Sequence, residues 1–175
     1  SNWDRTQYAA AGHLLGQLAA SEPLRSAAAG FGVASGPHQA RDYWEGRLQH
    51  QFVAAYSDGG IWQHPVLAEL VSPQLRARLL QLAERAPALI DEIEALPLLA
   101  GHGDACPNNL LPLEHGFGLI DWALFGQLRL GFDLSQLVIS RIELGQADGA
   151  TLPDLQAAVL PAYRAGLAAA GVSIG

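Results

Sequence analysis

Apolar and polar positions along this chain alternate mostly with a helical period. In "RTQYAAAGHLLGQLAAS", Tyr8, Leu14, Leu15 and Leu18 recur at roughly helical spacing among alanines, which predicts a helix of about 14 residues. The following "SEPLRSAAAGFGVASGPHQ" mixes Gly, Ser, Pro and Ala without a period and reads as a loop. A second helix is expected over "ARDYWEGRLQHQFVAAYSDGG", with Tyr43, Leu48, Phe52 and Tyr56 facing inward and Asp58-Gly59-Gly60 as its stop. The longest run starts at Ser72, an N-cap residue followed by proline at the first helical position. It carries Leu75, Leu79, Leu82, Leu89, Ile90 and Ile93, with a kink expected at Pro87. An extended "LPLLAG" comes next, and "DLSQLVISRIELG" and "TLPDLQAAVLPAYRAGLAAAG" read as two closing helices that end at glycine. There is no internal repeat and no linker long enough to split the chain, so residues 1–175 are expected to form one domain.

The exception to the helical period is "NNLLPLEHGFGLIDW", where apolar runs flank Glu114-His115-Gly116. That pattern predicts a small β-hairpin with a three-residue turn centred on His115. Pairing outward sets 113 against 117, 111 against 119 and 109 against 121, which would make Asn109 and Asp121 cross-strand neighbours about 5 Å apart. An amide oxygen and a carboxylate at that separation can share one hard cation such as Mg²⁺. Asp104, in "HGDACPNN", enters the same hairpin from its upstream loop. Together the three residues supply the parts of phosphoryl transfer: a carboxylate for the acceptor hydroxyl and two oxygen ligands for the metal that bridges the phosphates.

Composition narrows the partners. With half of its 175 residues hydrophobic, the chain can bury a core of its own. The net charge of −7 argues against a nucleic-acid or anionic-membrane partner, since both need basic stripes. One cysteine, Cys106, rules out an internal disulfide and reads as a small buried filler rather than a nucleophile. No stretch is apolar enough for a membrane span or signal segment, so the default expectation is cytoplasmic. All ten basic residues are arginine, and there is neither lysine nor methionine. The opening "SNWDRTQ" suggests a piece of a longer protein whose natural start lies elsewhere.

"HGDACPNNLL", "GLIDW" and "GFDLSQLV" together resemble the catalytic core of the aminoglycoside phosphotransferase and choline kinase family, relatives of the protein kinases. The resemblance implies a mainly α fold with a small β-hairpin, the C-terminal lobe of a kinase-like protein. It implies Asp104 as catalytic aspartate, Asn109 and Asp121 as metal ligands, and His102 and Asp133 as structural support of the catalytic loop. Mg²⁺ and ATP or GTP are the implied cofactors, and a small-molecule hydroxyl is the implied acceptor. Two departures stand out: Cys106-Pro107-Asn108 replaces the family's common His-Pro-Gly, and Leu18-Ala19 replaces Leu-His at the end of the first helix.

The kinase scheme also needs a strand lysine on the α- and β-phosphates, its glutamate partner and a covering loop. A chain without lysine cannot supply the first, so the N-terminal nucleotide-binding lobe is expected to be missing. The exposed lobe interface is then expected to pair as a homodimer. A non-catalytic, pseudokinase-like binding module of the same fold is the alternative. The residue types also allow three other readings: a Zn²⁺ site of His102, Asp104 and Cys106 on one strand face; Asp104 and Asp121 as mere turn and cap residues; and a polyamine pocket lined by Asp42, Glu45, Asp58, Asp91, Glu92 and Glu94. Trp122 is expected to pack under the metal loop. His13, His38, His50, His64 and His115 show no metal-ligand spacing.

Overall fold

The structure, a computed structural model, describes residues 3–32 and 39–174. They are mostly helical, with two small antiparallel sheets. Contacts divide the chain into two compact units, Ser1–Ala34 with Pro97–Gly175, and Ser35–Leu96.

The first unit is built on helices α1 (Arg5–Ala20) and α8 (Leu152–Ala169). Asp4 opens α1 with a capping box, its carboxylate accepting from the Gln7 N–H at 2.8 Å while the Gln7 side chain accepts from the Asp4 N–H at 2.9 Å. The two helices meet through small residues. A Cβ on Gly16 would collide with the Tyr163 carbonyl, and one on Gly166 with the His13 carbonyl, so glycine is what lets these backbones touch. The close approach seals a core in which Leu15, Leu110, Leu137, Val159 and Leu167 are fully buried, each side chain contributing roughly 1.5–3 kcal/mol.

The segment 21–39, expected as a loop, instead begins with helix α2 (Glu22–Phe31), which Gly32 ends at φ +80°. Pro23 stands in the first turn, where proline is favoured, the alanines that follow are good helix formers, and Leu24 and Ala28 face the core. Residues 33–38 of that expected loop, including His38, lie outside the described residues.

β1 (Leu98–Gly101), the expected extended piece, pairs antiparallel with β4 (Gly126–Arg129), setting Leu99 against Leu128. The sequence pattern gives no strand at 126–129, so β4 is an addition of the structure. β2 (Leu110–Leu113) and β3 (Gly116–Leu119) form the hairpin, but in a different register. Leu113 pairs with Gly116 and Leu110 with Leu119, leaving only Glu114 and His115 in the turn. Gly116, at φ +98°, takes the left-handed step that follows such a turn, and it already counts as paired strand. Asn109 therefore faces Ile120 rather than Asp121, as the Ile120 N–H bond to the Asn109 carbonyl at 3.1 Å shows. Helix α7 (Phe132–Glu143) follows β4 and, like α8, matches the predicted span closely.

In the second unit, helical turns run from α3 (Ala40–Tyr43) through a widened π-type stretch, Trp44–Val53, into α4 (Ala54–Ser57). Tyr43, Leu48 and Tyr56 are half-buried there and Phe52 is exposed, so the expected inward face is only partly covered. A short α5 (Pro65–Leu70) precedes α6 (Pro73–Glu94). Ser72 caps α6 as predicted, its hydroxyl accepting from the Leu75 N–H at 3.1 Å. Of the six apolar residues expected inside, Ile90 is buried, whereas Leu75, Leu82 and Ile93 are exposed.

Candidate active site

The site begins where β1 ends. Asp133, in the first turn of α7, sends its carboxylate to the loop after β1. Oδ2 accepts from the His102 N–H at 2.7 Å and Oδ1 from the Gly103 N–H at 2.9 Å. Asp133 and His102 are the buried polar residues of the core. Burial pushes the Asp133 carboxyl above its ordinary range, and the two N–H bonds pull against that shift. The clamp fixes the backbone from which the next side chains project.

His102 ties that loop to the one after β3. Its Nε2 donates to the Ile120 carbonyl at 2.9 Å, because a carbonyl can only accept, and this tautomer leaves Nδ1 to receive the Asp104 N–H at 3.3 Å. The Trp122 ring lies 4.7 Å from the His102 ring, and its indole N–H donates to the Leu119 carbonyl at 3.1 Å. Trp122 thus packs on His102 with one face still open to solvent. Gly103 completes the junction at φ +88°. A side chain there would run into the Leu124 carbonyl, with Leu124 Cβ at 2.7 Å, so its lack of a Cβ is a spatial requirement.

Asp104 and Asn109 are brought directly together. The Asn109 amide donates from Nδ2 to both the Asp104 carbonyl and Asp104 Oδ2, each at 2.9 Å. The Asp104 carboxylate also receives the Cys106 thiol, and Asn109 keeps the carbonyl oxygen of its amide. The Asn109 backbone N–H closes the intervening turn on the Cys106 carbonyl at 2.9 Å. Burial and the neighbouring Asp104 charge push the Cys106 thiol up, which keeps it protonated and unsuited to nucleophilic attack.

Asp121 is the sole non-glycine residue with positive φ among those described, at φ 59° and ψ 65°. Such a conformation costs free energy and recurs where function demands it. Its carboxylate is exposed and has no hydrogen-bond or ion-pair partner among the described residues. Ile120, the preceding residue, donates its N–H to Asn109 and accepts at its carbonyl from His102. The Asp104, Asn109 and Asp121 segments are therefore joined around the Ile120 peptide, although not through the cross-strand pairing expected from sequence.

The donors fit a hard cation: one unpaired carboxylate and one amide oxygen. The described residues contain no cluster of three or more His, Cys, Asp and Glu able to hold a metal ion. A Zn²⁺ site of His102, Asp104 and Cys106 is also excluded, since both ring nitrogens of buried His102 are engaged elsewhere. The polyamine pocket also loses support. Arg41 pairs with Asp91 at 2.6 Å, Glu94 at 2.8 Å and Glu45 at 3.6 Å, so three of those acids already have a cation.

Tyr163, on α8, supports the same corner by accepting the Gly131 N–H at 3.3 Å just ahead of α7. Burial pushes its phenol up to about 12 from 10.0. The folded chain thus holds this proton where the unfolded chain releases it. The stabilisation is complete below pH 10 and is lost as pH rises towards 12, at up to about 1.4 kcal/mol per pH unit. Alkaline denaturation followed by circular dichroism should show that slope, and Tyr163→Phe should flatten it.

Residues 4–170 match the sequence profile of the phosphotransferase enzyme family, APH. The chain belongs to that family. Neither the curated proteins nor the solved structures compared with it give a match. No helix among the described residues is long and apolar enough to cross a membrane.

Sequence reasoning missed two contributors, the Ile120 peptide and the left-handed Asp121 backbone. Neither leaves a mark in residue type. Gly103 does leave one, a glycine wedged between two polar residues. At the departure Leu18-Ala19, both side chains are buried in apolar surroundings, so that position makes no polar contact with the loop.

Proposed function

We propose that this chain is the catalytic, C-terminal lobe of a kinase-like phosphotransferase that moves the γ-phosphoryl group of ATP or GTP to a hydroxyl of a small molecule. The observations that carry the reading are the Asp104–Asn109 hydrogen bond, the Ile120 N–H bond to the Asn109 carbonyl, and the exposed, unpaired carboxylate of the next residue, Asp121, on left-handed backbone. Asp104 Oδ1 takes the acceptor's proton as its oxygen bonds to the γ-phosphorus. The bond from that phosphorus to the bridging oxygen breaks, and the electron pair leaves with the nucleoside diphosphate. Asn109 orients the Asp104 carboxylate through Nδ2. Its amide oxygen and Asp121 are the ligands for Mg²⁺, which when bound neutralises phosphate charge. Asp133 and His102 keep the loop in place.

The phosphate-binding lysine belongs, on this reading, to a nucleotide-binding lobe outside these 175 residues. The exposed Phe31, Leu111, Leu113 and Ile120 are surface for that lobe, or for a second copy when it is absent. Calorimetry of the 175-residue chain with Mg·ATP tests this. Neither micromolar affinity nor turnover is expected, and light scattering should report self-association. Tight nucleotide binding or steady turnover by this chain alone would overturn the division into lobes.

A further inference from the structure

In the second unit, α5 and the start of α6 enclose an open cavity of about 510 Å³, within the range of small-molecule sites. Its wall is apolar, formed by Leu67, Val71, Pro73, Leu80 and the face of Trp62. Trp62 is held in place because its indole N–H donates to the Tyr56 carbonyl at 2.6 Å, which also removes that N–H from the cavity's polar inventory. One charged group remains on the wall, Arg76, whose guanidinium lies over the Trp62 ring at 5.0 Å.

The charge of this wall runs against that of the chain. The sequence carries 17 acidic residues and ten basic ones, yet no acidic side chain lines the cavity. Arg76 has no carboxylate partner among the described residues, and the first turn of α6 contains no acidic residue. The positive end of the α6 dipole therefore adds to the guanidinium rather than being offset. By contrast Arg41, elsewhere in the same unit, is matched by three acids. A guanidinium already stacked on an aromatic ring is preorganised for a planar carboxylate, since little side-chain freedom is left to lose.

We propose that this cavity binds a small amphipathic anion, an acyl or aryl carboxylate whose apolar body lies along Leu67, Val71 and Leu80 and whose carboxylate pairs with Arg76. The site is independent of the phosphoryl-transfer reading. Saturation-transfer NMR on the 175-residue chain, using decanoate, decanol and decyltrimethylammonium as probes, tests it. Decanoate should bind at least tenfold more tightly than decanol, and the ammonium probe least. Arg76→Gln should reduce decanoate to the level of decanol and leave decanol unchanged. If Arg76→Gln loses its helical circular dichroism, Ala77→Glu, which places a negative charge on the same wall, should give the same loss for decanoate. Equal binding of decanoate and decanol, decanoate binding unaffected by the folded variant, or no binding of any probe at millimolar concentration would each overturn the proposal.

Discussion

Asp104→Ala, made in the protein together with its nucleotide-binding lobe, is expected to lower phosphoryl transfer about 10²–10⁴-fold, the usual worth of a positioned general base. Nucleotide affinity should barely change, because Asp104 reaches the acceptor hydroxyl rather than the phosphates. Asp121→Ala should remove activity and Mg²⁺-dependent nucleotide binding together. The two side chains differ in the structure in a way that supports this split. Asp104 shares its carboxylate with Asn109, whereas Asp121 has an exposed carboxylate with nothing to neutralise it. Rapid-quench assays for transfer, and fluorescence titration of a nucleotide analogue for affinity, read the two effects separately. Equal loss of nucleotide binding in both variants would show that the roles are wrongly divided.

The second large effect is expected at Asp133. Asp133→Ala leaves the His102 and Gly103 N–H groups buried without an acceptor, and each unmet buried donor costs about 1–3 kcal/mol. Losing both should destabilise the fold by roughly 2–6 kcal/mol, seen as a lower midpoint in urea denaturation. Asp133→Asn retains one acceptor oxygen and should fall between wild type and alanine. It also removes the cost of burying a charge, so its penalty should shrink as pH rises above the carboxyl's ordinary range. The reason is that wild type loses stability there, its folded-state carboxyl being pushed up. An unchanged urea midpoint for Asp133→Ala would mean that water replaces the carboxylate at no cost and that the clamp does not hold the loop.

Helices with a clear apolar period were legible in the sequence, and their ends could be read from caps. Ser72 and the glycines after α7 and α8 stand where the pattern put them. Segment α2 was not legible, because Pro23, Gly30 and Gly32 read as loop punctuation, whereas Pro23 stands at the helix start, Gly32 at its end, and the short stripe through Leu24 and Ala28 covers too few turns to stand out. Strand β4 was hidden for another reason. "GQLR" is too short to show alternation, and its partner β1 lies 25 residues or more upstream in the chain. The hairpin was found but misregistered by one residue, since a turn ending in glycine fits both a two- and a three-residue count. One residue of slip exchanges the faces of a strand. Yet the Asp104, Asn109 and Asp121 segments still adjoin, because they meet around the Ile120 peptide. The candidate residues could be picked out as motifs, and the geometry that joins their segments depends on backbone bonds that no motif encodes.

The central claim is that Asp104, Asn109 and Asp121 form one cation and phosphate site. Paramagnetic broadening by Mn²⁺, standing in for Mg²⁺, tests it most directly, because it detects weak binding residue by residue in amide NMR spectra of this chain. The predicted result is selective loss of the Asp104, Asn109, Ile120 and Asp121 signals, deepened by added ATP and abolished by Asp121→Ala. Broadening spread over other exposed carboxylates, such as Glu22 and Glu114, with those four signals intact, would contradict it.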